Sequence, residues 1–481
     1  MRKLTLLVFF LFISSGLIIA DDEAPEVKDW TVMVYICGDN DLEYFALKDI
    51  NEMEYVGSSK NLNIVTFIDR WDGYEWKYSD KGIPERRKSK YYDDTSESDW
   101  TGAKVFYITQ DYDLNKIHSP ELTDLGEIDT GDPENLQTFI STVGEKFPAK
   151  NYMIVIWNHG SGIDGVGFDD TSTNLDLEKR DGRLIYLSKS RLTGPELGQV
   201  FSNVVSRIAQ EEKDYIDIVG FDACLMSMYS NHIELAKNGV RAVVGSQETE
   251  PGNGWPYSTI MDVIRSYTDD DRTLSTATFA DRMVKLYMES YKGVNVTLSG
   301  INTDETGLDV VTEKIDALCE ALIGDEDTED DNMMKLHNAA KECQRYHTKK
   351  KAGDNITYYV DLIDFMKKIE AEFDGDIVEK ATDVRSAITA NHIILANRSE
   401  GARVKDSNGI AIYFPLYRRK KAEEDGTYLL KPYIRTEYKG YKTDRQIFRS
   451  FDFGANSKYD ELLLKYYDVL ETKEDDEVGL Y

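Results

Sequence analysis

Cys224 and His159 are the two residues whose types and settings suit covalent chemistry. Cys224 lies just past the apolar run Ile216 to Phe221 (IDIVGF), in Asp222-Ala223-Cys224, and a helix is predicted to start at once with Leu225. A thiolate attacks a carbonyl where a thiol does not, so the sulfur needs a base or a positive field beside it. The first turn of a helix supplies such a field through its dipole. His159 follows a second apolar run, Tyr152 to Trp157 (YMIVIW), in Asn158-His159-Gly160-Ser161-Gly162. An imidazole that titrates near neutrality takes the thiol proton and returns it to a leaving amine. Gly160 and Gly162 leave the backbone bare, which makes the amides of Gly160 and Cys224 the candidates for an oxyanion hole. His232 competes for the role of base. It lies eight residues beyond Cys224 on the predicted helix, roughly 12 Å of rise and too far for a hydrogen bond.

Two positions 65 residues apart meet only if neighbouring strands carry them. Trp30 to Cys37, Leu62 to Ile68, Lys104 to Ile108, Tyr152 to Trp157, Ile216 to Phe221 and Ala242 to Gly245 are apolar runs of strand length. Their unbroken apolar character predicts a sheet buried on both faces. Helix-period segments fall between them at Leu42 to Val56, Asn135 to Phe147, Gly194 to Glu212 and Leu225 to Asn238. That alternation implies an α/β fold with a mostly parallel central sheet and right-handed crossovers. Both chemical residues then sit past the carboxyl ends of strands, where open α/β sheets place their sites. After about residue 300 the chain turns to long charged helical segments, a helix-rich C-terminal region running from 301 to 481. Within it Ile410 to Phe414 is a candidate strand returning to the main sheet.

The 88 acidic and 57 basic residues leave a net charge of −31, which argues against nucleic-acid binding. HExxH, CxxC and paired histidines at helical spacing are missing from the sequence, so no catalytic metal is expected. The acidic clusters Asp39-Asn40-Asp41 and Asp164 to Asp170 could bind calcium through oxygens, with solvated surface the simpler reading. Arg2 and Lys3 precede a largely apolar Leu4 to Ile19, and Ala20 precedes an acidic start, the layout of a cleaved secretory signal over residues 1–20. The expected location is therefore secreted, with no later stretch apolar enough to span a bilayer. Four cysteines exclude a disulfide-stapled scaffold. Cys37 reads as a buried hydrophobe, while Cys319 and Cys343 could pair across a helical hairpin.

Four segments resemble the clostripain family of cysteine peptidases, in the caspase-like clan. They are Thr31 to Glu43 (TVMVYICGDNDLE), Ile154 to Gly162 (IVIWNHGSG), Asp217 to Met226 (DIVGFDACLM) and Ser246 to Tyr257 (SQETEPGNGWPY). Tyr359 to Phe365 (YVDLIDF) and Asn408 to Pro415 (NGIAIYFP) extend the likeness. The resemblance implies a caspase-like α/β/α sandwich over 21–300, with the nucleophile at Cys224 and the histidine at His159. It implies an S1 pocket that selects Arg or Lys through Asp222, where a carboxylate pairs with a guanidinium. Glu248 and Glu250 would add charge at that pocket's rim. It further implies maturation by self-cleavage between 171 and 191, a stretch holding Lys179, Arg180, Arg183, Lys189 and Arg191. Calcium is a family expectation; no cofactor is required for the chemistry. The alternative is a catalytically silent member that binds peptides or surfaces.

Overall fold

A strand buried on both faces must be largely apolar, and the strand at Lys28–Gly38 (β1) meets that demand from Trp30 to Cys37, where the one polar residue, Thr31, donates its hydroxyl to the Phe147 carbonyl (2.7 Å). Trp30, Val32, Val34 and Ile36 enter one core cluster, while Met33, Tyr35 and Cys37 enter another on the opposite face. The computed structural model describes residues 25–78, 84–88, 100–173, 179–180, 183–184, 189–209, 213–325, 327–347, 349–351, 354–356, 358–416 and 444–474. The signal-like segment 1–20 lies outside the described residues. Among those described, no helix is long and apolar enough to cross a membrane.

The main sheet has nine strands. After β1 come Leu62–Arg70 (β2), Gly102–Tyr107 (β3), Glu121–Gly126 (β4), Ala149–Trp157 (β5), Ile218–Asp222 (β6), Ala242–Gly245 (β7), Val296–Asn302 (β8) and Ile394–Glu400 (β9). Across the sheet they run β9-β8-β7-β6-β5-β1-β2-β3-β4. The central five, β7 to β2, pair in parallel. At the margins β8 and β3 reverse and β9 and β4 turn back again, so seven of the nine point one way.

Helices α1 (Glu43–Val56), α5 (Tyr257–Asp269) and α6 (Thr276–Ser290) cover one face, and α2 (Pro133–Lys146) and α3 (Gly194–Ile208) the other. This is the expected α/β/α sandwich. The expected helix from Leu225 is displaced: α4 spans Tyr229–Ala236, and the chain from Ala223 to Met228 is a turn. A third cluster unites α4 with α7 (Glu305–Ile323), α8 (Glu329–Glu342), α9 (Leu362–Glu372), α10 (Asp376–Ala390) and the helix Tyr459–Glu474.

The C-terminal region does return a strand to the sheet, but it is β9. The expected segment, at Ala411–Tyr413, instead pairs with Tyr359–Asp361 in a separate small sheet. The reason is its packing. Ile410 to Phe414 is buried in the helical cluster, and the Ala411 N–H donates to the Ser227 carbonyl (2.9 Å), behind the Cys224 turn. Residue 300 falls inside β8, so sheet and helical layer share elements across it. Cys319 and Cys343 are both free thiols buried in the helical cluster, and Cys37 is buried in the sandwich.

Candidate active site

Register brings the two chemical residues together. β5 and β6 are adjacent and parallel, with Trp157 opposite Asp222. His159 and Cys224 each lie two residues beyond that pair. Both line a cleft of about 100 Å³ at the carboxyl edge, with Asp222 and Glu250 also in its wall.

The turn that presents Cys224 has a cost. Leu225 adopts φ 64°, a left-handed conformation that costs a side-chain-bearing residue roughly 1–2 kcal/mol. Long-range contacts hold it there: Leu225 is 2% exposed, its N–H donates to the Glu248 carbonyl (3.2 Å), and the Ser227 N–H donates to Ser246 (2.9 Å). With the helix starting at Tyr229, the helix-dipole argument for a thiolate falls. The sulfur instead accepts the Glu250 N–H at 3.2 Å, and the Gly160 amide is also directed at it. Burial outweighs these donors and, with the charges of Glu248 and Asp222, holds the thiol above its ordinary pKa. Gly160 is forced by space, because a Cβ there would lie 2.1 Å from the Cys224 carbonyl oxygen.

His159 is half-exposed, and its Nε2 lies 2.8 Å from Asp41 Oδ1. Asp41 belongs to the loop after β1, which is fastened to the His159 loop. Asn40 Nδ2 donates to the Cys37 (2.8 Å) and Phe168 (3.3 Å) carbonyls, and Asn158 Nδ2 donates to the same two. Tyr359, from the C-terminal region, donates its hydroxyl to the Ser161 carbonyl (2.7 Å) and lies against Gly162. Residues past 300 therefore support the histidine loop.

The far wall of the cleft is a stack of buried acids. Asp222 accepts from the Trp255 N–H (3.1 Å) and the Tyr257 hydroxyl (2.9 Å). Burial still raises its pKa to about 6, helped by Glu52 and offset by these donors and by Glu250. Glu250 is half-buried with both carboxylate oxygens shielded from solvent, and it is pushed well above the carboxylate range by desolvation and by the charges of Asp222 and Cys224. Asp49 on α1 lies beneath them, holds the Trp157 Nε1–H at 2.8 Å, and is also raised by burial and by Asp222. Glu248 does not join this wall. Its carboxylate takes the N–H groups of Thr249 (2.8 Å) and His347 (3.1 Å) and faces Arg403 at 3.5 Å. His232 is buried on α4 with neither ring nitrogen partnered, and burial pushes its pKa down to about 3. It plays no part in the cleft.

The structure places Cys224, His159, Asp222 and Glu250 around one cleft with Gly160 against the Cys224 carbonyl, and sets Asp41, Asp49 and Tyr359, which the sequence did not single out, beside them. Asp41 stands in the acidic stretch Asp39-Asn40-Asp41, whose composition suits a cation or solvent as readily as a histidine partner. Asp49 sits on α1 beside other acids, and no local pattern sets it apart from Glu43, Asn51 and Glu54, which are buried as well.

The Peptidase_C11 family model, described as the clostripain family, matches residues 34–463. Clostripain of Hathewaya histolytica is 26% identical over 268 residues. That match covers 51% of this chain and 44% of that protein, so the chain spans less than half of this relative's length. Two solved structures share the fold. A secreted C11 cysteine protease from Bacteroides thetaiotaomicron, in complex with an irreversible peptide inhibitor, aligns with TM-score 0.51 and 16% identity over 83% of this chain and 95% of that one. An inactive zymogen C11 protease from Parabacteroides distasonis aligns with TM-score 0.53 and 16% identity over 81% and 93%. With the family model covering most of its length, the chain belongs to the clostripain family.

Proposed function

We propose that this protein is a secreted cysteine endopeptidase that cleaves after Arg or Lys, with Cys224 as nucleophile and His159 as general base. The observation that carries the reading is the in-register placement of thiol and imidazole over one cleft walled by buried carboxyls. Asp41 occupies His159 Nε2, which leaves Nδ1 as the acceptor for the thiol proton. With the thiol held above its ordinary pKa, the proton moves as attack begins rather than resting beforehand on the imidazole. Sulfur then bonds to the scissile carbonyl carbon, and the oxyanion is met by the amides of Gly160 and Cys224. The imidazolium protonates the departing amine, and water, giving its proton to the imidazole, cleaves the thioester. Secretion is supported by the leader-like residues 1–20.

A peptide-library cleavage profile tests the whole reading. Cuts confined to bonds after Arg and Lys support it; stoichiometric peptide binding without cuts would make the protein the silent binder.

Asp41 is a positioning residue in this scheme. Asp41→Ala is expected to lower kcat about 10-fold with KM little changed, because the pair is half-exposed and orients the ring without touching substrate. An equal loss carried in KM would remove Asp41 from this role.

Self-cleavage falls in the segment Thr171 to Arg191. Residues 174–178, 181–182 and 185–188 of it lie outside the described residues. The purified protein is expected to resolve into two fragments on a denaturing gel while Cys224→Ala stays whole. Equal clipping of the alanine variant would assign the cut to another protease.

A further inference from the structure

The turn that presents Cys224 is held from two sides, and both sides lead to one buried carboxylate. On the first side, the carbonyls of Ser246 and Glu248 accept the N–H groups of Ser227 (2.9 Å) and Leu225 (3.2 Å). On the second, the Gly409 carbonyl accepts the Ser227 hydroxyl (2.7 Å), and the Ser227 carbonyl accepts the Ala411 N–H (2.9 Å). Gln247 stands between the two carbonyls of the first side, 1% exposed, and its side chain reaches into the C-terminal region. There its Nε2 donates to Asp361 Oδ2 (2.9 Å), and its Oε1 accepts the Gly409 N–H (2.8 Å). Asp361, 0% exposed, also takes the N–H (2.6 Å) and Nδ2 (3.0 Å) of Asn408, the residue before Gly409.

A simpler reading makes Asp361 the cap of α9, since its Oδ1 accepts the Asp364 N–H (2.8 Å). One oxygen suffices for a cap. The other, Oδ2, accepts from Gln247, from the Asn408 N–H and from the Tyr346 hydroxyl (3.1 Å), none of which belongs to α9. Burial raises the Asp361 pKa, and the Asp364, Gln247 and Asn408 donors offset part of the rise.

We propose that Asp361 is a positioning residue for the Cys224 nucleophile, acting through Gln247 and the Asn408-Gly409 backbone. Its two oxygens tie the segment 246–248 to the segment 408–411, and the nucleophile turn is bonded to both. Residues from beyond 300 thereby set the geometry of a thiol that the sandwich contributes.

The tie reaches the sulfur itself. The Glu250 N–H that Sγ accepts (3.2 Å) lies two residues beyond the carbonyl that holds Leu225. Leu225 sits in a left-handed conformation that it keeps only under outside constraint. Without the Asp361 bonds the turn relaxes, the sulfur leaves its alignment with His159, and water gains access to it.

The test uses the full chain. Asp361→Asn is the sharpest variant, because its amide oxygen keeps the Asp364 N–H and the cap while its amide nitrogen takes the place of Oδ2. Its kcat on Arg-ending peptides is expected to fall about 10- to 100-fold with KM little changed. Gln247→Met, similar in volume but without the hydrogen bonds, should lose a similar factor. The double variant should lose little more, since both changes break one contact. Alkylation by iodoacetamide at neutral pH, mapped by mass spectrometry, should move the other way. Cys224 in both variants should react at least about threefold faster as the sulfur loses its cover. Cys37, Cys319 and Cys343, all buried, should stay unlabelled, which global unfolding would not allow. Asp304→Ala removes the cap of a different helix, α7, and should lower the melting temperature while leaving both rates unchanged. Should Asp361→Asn fail to fold, Gln247→Met carries both measurements.

Parent-like kcat and alkylation in Gln247→Met, a loss carried in KM, additive losses in the double variant, or all four thiols labelled together would each overturn the proposal. It rests on Cys224 being the nucleophile, and the two failures are distinct. A parent that takes no chloromethylketone label at Cys224 ends that reading and this proposal with it. A labelled parent whose variants match it in both rates ends this proposal alone.

Discussion

Cys224→Ala is expected to take up no label from an arginyl chloromethylketone, and its kcat/KM on Arg-ending peptides should fall about 10⁴-fold or more. The size follows from the role, because without the sulfur no covalent intermediate forms and only binding and the oxyanion donors remain. His159→Ala should lose a similar factor, and the double variant little more, since nucleophile and base act as a unit. The environment of the thiol adds a second readout. Burial and the charges of Glu248 and Asp222 hold it above its ordinary pKa against the Glu250 and Gly160 amides. At neutral pH the free enzyme is therefore mostly thiol, and alkylation by a small reagent such as iodoacetamide should be slow there and rise steadily into alkaline pH. The chloromethylketone, which places its guanidinium in the pocket and its carbon over the sulfur, should react at neutral pH regardless. Labelling retained in Cys224→Ala would end the nucleophile assignment.

The parts of this site that were legible in the sequence are those encoded by runs of residues. Two-sided burial leaves a long apolar string, so β1, β2, β5 and β6 are legible to within three residues at each end, and with them the strand-end positions of His159 and Cys224. What was not legible depends on contacts between distant residues. Nothing in the run Cys-Leu-Met-Ser marks Leu225 for a left-handed φ. That conformation is held by the Ser246 and Glu248 carbonyls, which accept from the turn's own N–H groups, so the local pattern reads as helix while tertiary bonding makes a turn. Glu248 and Glu250 have the same spacing parity and similar neighbours, yet point to different places. The C-terminal region offers Glu248 the His347 N–H and Arg403, while Glu250 is left facing Asp222. Asp49 is invisible for the same reason: the donor that meets its carboxylate is Trp157, 108 residues away.

Asp222→Asn is expected to lower kcat/KM for substrates with Arg or Lys before the cut by about 10² to 10³-fold, and to leave the slow cleavage after neutral residues little changed. The argument rests on which acid carries the charge. The carboxyls of Asp222, Glu250 and Asp49 are buried together, and three carboxylates cannot ionise side by side in a dry site. Glu250 and Asp49 are pushed well above the usual range, whereas Asp222, held by the Trp255 amide and the Tyr257 hydroxyl, is raised only to about 6. Near pH 7 Asp222 is thus the ionised member that an incoming guanidinium meets. Consequently kcat/KM for Arg substrates should fall as pH drops below about 6, and that limb should vanish in Asp222→Asn. Stability runs the other way. A carboxyl whose pKa is higher in the folded than in the unfolded state keeps its proton longer when folded, so its contribution declines as pH rises from about 4 to 6. The asparagine variant escapes that penalty while its amide oxygen can still accept from Trp255 and Tyr257. It should therefore be no less stable than the parent at pH 7 and far less active on basic substrates, a combination that misfolding cannot imitate. An Asp222→Asn enzyme that still prefers Arg would move the specificity determinant elsewhere in the cleft.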